Sequence, residues 1–418
     1  MTEKLFQFIW QFQYFNAAEL RTVNDENLQV IFPGVLNRDQ GPDFLNAQVR
    51  IEGMLLAGSV ELHLKASQWY LHGHHLDPHY KNVILHVVFE NDLDEQSIPV
   101  LELQQRIPKL LLERYADLMG SPHFIACASS LDQVKPITWA SWKDRLLAER
   151  LSRKSSVIFG FLEQNGWHWE ECFWWLLCRS FGARVNADAF EQVARSIPLK
   201  ILARHKQQIH QVEALLFGQA GLLHRKFNEA YPKLLQREYR FLRKKWVLQM
   251  VHAPMYFLRM RPGNFPSVRL AQLAVLIQQS AHLFSKVLEL EKAADLFHMF
   301  DVTANDYWHY HYRFDEPSGF KRKKLGKDMI RNIIINTVIP VLFAYGLYHK
   351  EENQRMKAIN WLGQLEAEDN SIIKGFSDLD IKCSSAFDTQ ALIELKTKYC
   401  DNRYCLQCAI GNAVLKIT

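Results

Sequence analysis

Two alternating stretches joined by a two-residue turn commit the N-terminal part of this chain to a sheet. Phe44–Ile51 and Met54–Lys65 both have strand character, and Glu52-Gly53 between them reads as a tight hairpin turn. Side chains alternate along a strand, so Glu61, His63 and Lys65 share one face of the second stretch. Asp43, after Gly41-Pro42, stands at the start of the first stretch. Two carboxylates, an imidazole and an amine on neighbouring strands are the groups that hold a divalent cation against a phosphate. A plainer arrangement fits the same residues: Asp43 caps the turn after Gly41-Pro42, Glu61 is solvated and His63 is a surface histidine.

The surroundings extend this sheet. Leu5, Phe6, Ile9, Trp10, Phe12 and Phe15 recur at helical spacing and predict an amphipathic helix from residue 3 to about 20, with Glu19 near its last turn. Leu28–Phe32 predicts a short strand stopped by Pro33-Gly34. Asn82–Phe89 is apolar enough for a buried strand, and Ile98–Leu103 is a weaker last one. The order is helix, three strands in a meander, a connection, and one or two further strands.

With Pro42-Asp43 followed eighteen residues on by Glu61-Leu62-His63, this order resembles the core of the PD-(D/E)XK nuclease superfamily over about residues 1–105. In that superfamily the Asp opens the second strand, a Glu-x-Lys lies on the third, and a helix Glu sometimes joins them. The resemblance implies a restriction-endonuclease-like α/β domain, with a helix plus a mixed sheet. It also implies a Mg²⁺ or Mn²⁺ site held by Asp43 and Glu61, with Glu19 as a further ligand, and hydrolysis of phosphodiester bonds. The chain departs from the pattern where His63 replaces the lysine. His63 or Lys65 then orients the attacking water, His63 as a base near neutral pH and Lys65 as the fixed positive charge.

Trp69–Tyr80 is the densest run of metal-capable groups, with His72, His74, His75, Asp77 and His79. His72, His74, Asp77 and His79 suit a zinc or manganese site of their own. Beside the Glu61 strand, His72 and His74 instead present cations to a phosphate. A solvent-exposed loop with Asp77-Pro78 as its turn is the simplest alternative. His86, in an apolar strand, reads as a hydrogen-bonded core histidine.

From about Trp139 the periodicity becomes helical: 139–160, 167–179, 187–195, 199–218 and 231–249. Trp167, Trp169, Trp174 and Trp175 read as core. Arg259, Arg261 and Arg269 surround a Pro- and Gly-containing loop before a helix beginning near Pro266, a ready phosphate site. Two basic runs, Arg243-Lys244-Lys245 and Lys321-Arg322-Lys323-Lys324, with the rings of Tyr307–Tyr312 beside the second, suit a surface that tracks a nucleic acid. Solvated charge and a buried aromatic cluster fit equally well. The net charge of +5 permits such a partner without requiring it.

Cys400, Cys405 and Cys408, with Cys383 upstream, predict a C-terminal zinc site or iron–sulfur cluster, or else three reduced thiols packed on a helix. Seven cysteines, odd in number and unevenly spread, do not form a disulfide framework. The start lacks the pattern of a signal peptide. The apolar run Ile333–Tyr348, broken by Asn336, Thr337, Pro340 and Gly346, is too short to span a bilayer. A cytoplasmic protein without membrane partners is expected, its oligomeric state open.

The expected organisation is a nuclease-like α/β domain over 1–130, a helical domain over 131–380 that grips nucleic acid, and a cysteine-containing segment over 381–418. Two alternatives stand beside the nuclease. One is a non-catalytic nucleic-acid-binding or scaffold protein that retains the nuclease-like fold. The other is a metal-dependent hydrolase of small molecules built on the histidine cluster. The stretches Gly41–Phe44, Gly58–His63, Arg261–Pro266 and Ile335–Gly346 further resemble a bacterial family known only as a domain of unknown function, across nearly the whole chain. That likeness implies no activity.

Overall fold

A computed structural model describes residues 1–37, 39–251 and 254–416. It comprises two compact units: residues 1–142 together with 395–418, and residues 143–394. The boundaries expected near 130 and 380 fall elsewhere. The first lies inside the helix Pro136–Gln164, and the chain from Leu395 onward completes the first unit instead of standing apart.

The first unit is built on six strands: β1 (Leu28–Phe32), β2 (Val35–Leu36), β3 (Phe44–Ile51), β4 (Met54–Lys65), β5 (Val83–Glu90) and β6 (Val100–Glu102). They lie in the order β1-β3-β4-β5-β6, with β2 beside β3. The pairs β1/β3 and β3/β4 are antiparallel, while β4/β5 and β5/β6 are parallel, so the sheet is mixed. Ile51 pairs with Met54 across the expected turn, and Glu52 and Gly53 both take positive φ (47° and 83°). That is the backbone twist a two-residue hairpin demands.

Helix α1 (Glu3–Gln11) starts at Thr2, whose hydroxyl accepts the Leu5 N–H at 3.2 Å. It ends at Gln11, not near residue 20. Gln13 turns the chain at φ 55°, and Phe15 comes back to stack on Trp10, with ring centroids 5.9 Å apart and planes 6° apart. The aromatics that imitate a longer helix form a folded-back cluster. Phe6 of α1 meets Phe89 of β5 edge-on. The connection from β4 to β5 holds a one-turn helix α2 (Gln68–Leu71) and a 3₁₀ turn, Pro78–Tyr80. Helix α3 (Lys109–Gly120) follows the sheet.

The second unit is mainly helical. Four of the five expected helices form, with ends shifted by a few residues. The stretch 199–218 divides into Leu199–His205 and Ile209–Gln219. At the break the His205 ring meets Gln211 Oε1 at 2.6 Å and accepts the Trp246 indole N–H at 3.0 Å. Trp174 and Trp175 are buried in the core, as expected. Lys327–Tyr348 is helical throughout 22 residues, with a π turn over Ile334–Val338, and is long and apolar enough to cross a membrane. This corrects the expectation that Pro340 and the polar residues cut it short. With 67 % of its apolar window buried inside the protein, it has the character of a core helix.

The aromatic run at 307–312 is mostly internal. Trp308, His309 and His311 are buried, and Tyr307 stacks between Tyr231 and His311 at 4.7 and 4.0 Å. Lys323 of the basic run is also buried; its ammonium lies 3.7 Å from the centre of the Tyr312 ring and donates to backbone carbonyls.

Candidate functional site

Strand β4 puts Glu61 and His63 on one face, and its parallel register with β5 sets His86 opposite Glu61. All three are buried. The chain leaving β4 folds back over this face. Trp69 of α2 is buried against it, its ring centroid 5.5 Å from His74 and 5.3 Å from His86. Tyr80 stacks on His74 at 3.9 Å. The loop between them therefore delivers His72 and His74 to the strand. His63 Nε2 lies 3.2 Å from His72 Nδ1 and 3.6 Å from Glu61 Oε1, and His74 Nε2 lies 3.4 Å from the same oxygen. The three histidines present ring nitrogens within 4.8 Å of one another. Solvent reaches the group at His72, which is exposed, while the other ring nitrogen of His63 meets His86 Nε2 at 2.8 Å.

Asp43 adjoins this group through Glu61. Its N–H donates to Glu61 Oε2 at 3.0 Å, its Oδ2 accepts from Leu62 N–H at 3.1 Å, and its Oδ1 accepts from Gln7 Nε2 at 2.8 Å. The helix therefore contributes Gln7, one turn after Glu3, whose charge also acts on both carboxylates. Glu19, expected to be the helix ligand, is exposed beyond the end of α1 at φ 48°, and its carbonyl accepts from Arg106. Lys65 continues the β4 face but turns its ammonium to Glu90 at 3.9 Å, both side chains about half exposed. Asp77 and His79 pair with each other at 2.7 Å, with Asp77 capping the Pro78–Tyr80 turn. The geometry unites Asp43, Glu61, His63, His72 and His74, and leaves Glu19, Lys65, Asp77 and His79 outside. Gln7, Tyr80 and the contact of His86 with His63 had no local sequence signal, because each enters through a tertiary contact.

Burial governs the charges here. Desolvation first raises both Asp43 and Glu61 above the usual carboxylate range; after it, the charge of Glu3 raises Asp43 and the charge of Asp43 raises Glu61. Burial also lowers His63 to about 3 and His86 to about 4, so both rings are neutral near pH 7. A neutral imidazole offers the lone pair that a metal requires. Three imidazoles and one carboxylate oxygen suit Mn²⁺ or Zn²⁺, whereas Mg²⁺ prefers oxygen ligands alone. The donor set thus fits manganese or zinc. His86 would fix the tautomer of His63 as an outer partner, so His86→Ala is expected to weaken Mn²⁺ or Zn²⁺ binding by about 10–100-fold in calorimetric titration.

A second candidate lies wholly in the helical unit. A cavity of about 1200 Å³ is lined by seven cationic side chains and one acid, Asp328. Arg261 and Arg269 belong to it; Arg259 is exposed at φ 57° and does not line it. Arg269 is buried, its guanidinium held by Asn264 Oδ1 at 2.6 Å and Gln272 Oε1 at 2.9 Å. Lys154 donates to Asn336 Oδ1 at 2.9 Å, on the π turn that also presents Thr337 to the cavity. π turns of this kind are frequent at functional sites.

Burial lowers Lys154 to about 7. Between that value and the ordinary lysine range the unfolded chain keeps a proton that the folded chain lacks, so stability from this group rises with pH. Below about 7 both states are protonated and the burial cost is complete. Relative to Lys154→Met, the wild-type protein should therefore gain up to about 4 kcal/mol between pH 7 and 10, read from urea unfolding.

Among the C-terminal cysteines, Cys383 belongs to the second unit, where its charged neighbours are Asp388 and Lys143. The thiol that interacts with Cys400, Cys405 and Cys408 is Cys127, which the sequence offered only as an isolated residue.

No curated protein and no solved structure matches the chain. One family does, described as "Protein of unknown function (DUF2851)", and it covers residues 3–371. That span takes in the mixed sheet, the histidine group and the basic cavity, and the chain belongs to this family.

Proposed function

We propose that the first unit is a metal-dependent phosphodiesterase acting on nucleic acid. The observation that carries this reading is the convergence of His63 Nε2, His72 Nδ1, His74 Nε2 and Glu61 Oε1 beside Asp43. The topology supports it. A helix, an antiparallel β1-β3-β4 meander and a parallel β5, with Asp43 before β3 and Glu61 and His63 on β4, are the surroundings that the resemblance of the sequence to the PD-(D/E)XK nuclease superfamily leads one to expect. The basic cavity of the second unit is suited to phosphate groups and agrees with a polyanionic substrate.

A bound Mn²⁺ or Zn²⁺ would polarise the phosphoryl oxygen and acidify a water. Glu61, His63, His72 and His74 would hold it, and His86, 2.8 Å from His63 Nδ1, would fix the orientation of that ring. Asp43, half-buried and raised to about 6, is the proton acceptor for the water, a value close to the working range of a general base. Gln7 and the Leu62 N–H keep its carboxylate in place.

The test is incubation of the protein with single- and double-stranded DNA and RNA plus Mn²⁺, Zn²⁺ or Mg²⁺. Cleavage that disappears in Asp43→Asn and Glu61→Gln but persists in Lys65→Ala supports the enzyme. The second reading is a nucleic-acid-binding protein without catalysis, favoured by the engagement of Lys65 with Glu90 away from the carboxylates. Binding without cleavage under every metal selects it.

A further inference from the structure

Four of the seven cysteines gather in the first unit from distant parts of the chain. Cys127 precedes a 3₁₀ turn (Ala128–Gln133), Cys400 closes a π turn (Leu395–Cys400), and Cys405 and Cys408 bracket another 3₁₀ turn. The terminal helix Ala409–Leu415 packs on the turn that follows Cys127. All four are free thiols; Cys127, Cys405 and Cys408 are buried and Cys400 is partly so. Each of the six pairings among them brings the sulfurs close enough to interact electrostatically.

We propose that Cys127, Cys400, Cys405 and Cys408 hold a metal centre through four thiolates, independent of the histidine group and of the activity proposed for it. Isolated buried cysteines commonly serve as small apolar residues, but these four are drawn into one unit from positions 127 and 400–408. Cys408 immediately precedes the terminal helix Ala409–Leu415, so the backbone N–H groups of Ile410 and Gly411 at the start of that helix act on its sulfur. Residue 411 has to be glycine, because a Cβ there would lie 2.4 Å from the Cys405 carbonyl oxygen that closes the loop around Cys408.

Among the described residues, no three of these sulfurs lie within 4.8 Å of one another. A single zinc tetrahedron needs sulfurs about 3.8 Å apart, from its 2.3 Å bonds. Bridging sulfide ions let an iron–sulfur cluster take thiolates that stand farther apart than those of a single zinc. Either metal would tie Cys127 to the segment at 400–408 across the whole second unit. The family match ends at residue 371, before three of the four cysteines.

The experiment uses the full chain purified without oxygen, with iron, acid-labile sulfide and zinc counted per molecule. Stoichiometric iron with sulfide identifies the cluster and stoichiometric zinc the tetrathiolate; either supports the proposal if it is lost in Cys127→Ser and kept in Cys383→Ser. Absence of all three, also after anaerobic reconstitution with ferrous iron and sulfide or with zinc, overturns it. So does metal that survives Cys127→Ser. A readout on the unmutated protein separates ligation from folding: alkylation followed by mass spectrometry. Joint release of these four cysteines on metal removal supports the centre, and unchanged labelling overturns it.

Discussion

Replacing Glu61 with glutamine is expected to lower Mn²⁺ or Zn²⁺ affinity by at least about 100-fold, above the range seen for outer-sphere partners. Glutamine keeps the shape of the side chain, so His63 and His74 still have a neighbour at the position of Oε1. What disappears is the negative charge. The same substitution removes a buried carboxyl whose ionisation is opposed by desolvation and by the neighbouring Asp43, and the metal-free variant is therefore expected to be more stable than metal-free wild type. Thermal melts with and without metal read both effects. Wild type should be stabilised by metal and Glu61→Gln should not, while the metal-free ordering runs the other way. A variant that is less stable under both conditions would indicate a structural glutamate and defeat the site.

Glu394→Ala is expected to destabilise the second unit by about 3–5 kcal/mol, the cost of leaving a buried charge unpaired. The Glu394 carboxylate is 3 % exposed and accepts from Arg150 at 3.1 Å and from Arg153 at 2.6 and 3.2 Å. Arg150 also donates to Gln390 at 2.6 Å, which alone does not neutralise it. Glu394→Gln should cost less, since it retains an acceptor for one guanidinium. Urea midpoints for the two variants check the order, and equal midpoints would mean that the retained acceptor contributes little.

What the sequence revealed depended on how local each determinant was. The ends of β3 and β4 were readable because alternation and a Glu-Gly turn encode them within about twenty residues. The pairing of Glu61 with His63 followed from strand periodicity alone. His72 and His74 were recognisable as ligand types, but their role depended on Trp69 and Tyr80 folding the loop back over β4. Local pattern misled at α1, where Phe15 kept helical spacing while leaving the helix to cover Trp10. It was silent on Cys127, whose partners lie more than 270 residues away. The membership of residues 395–418 in the first unit was hidden for the same reason: it is a long-range contact set, with no compositional break to announce it.

The divided first unit also sets a timetable for synthesis. Its sheet and histidine group are complete in the growing chain once residue 142 has emerged, but residues 395–416 are still to be made. At about 5–20 residues per second, the roughly 250 intervening residues take on the order of 10–50 s. Throughout that interval the surfaces of α3 and of the turn after Cys127 that later receive Val414 and the terminal helix stay uncovered. The continuous second unit has all its own residues before the first unit can close, so the nascent protein finishes its middle before its beginning.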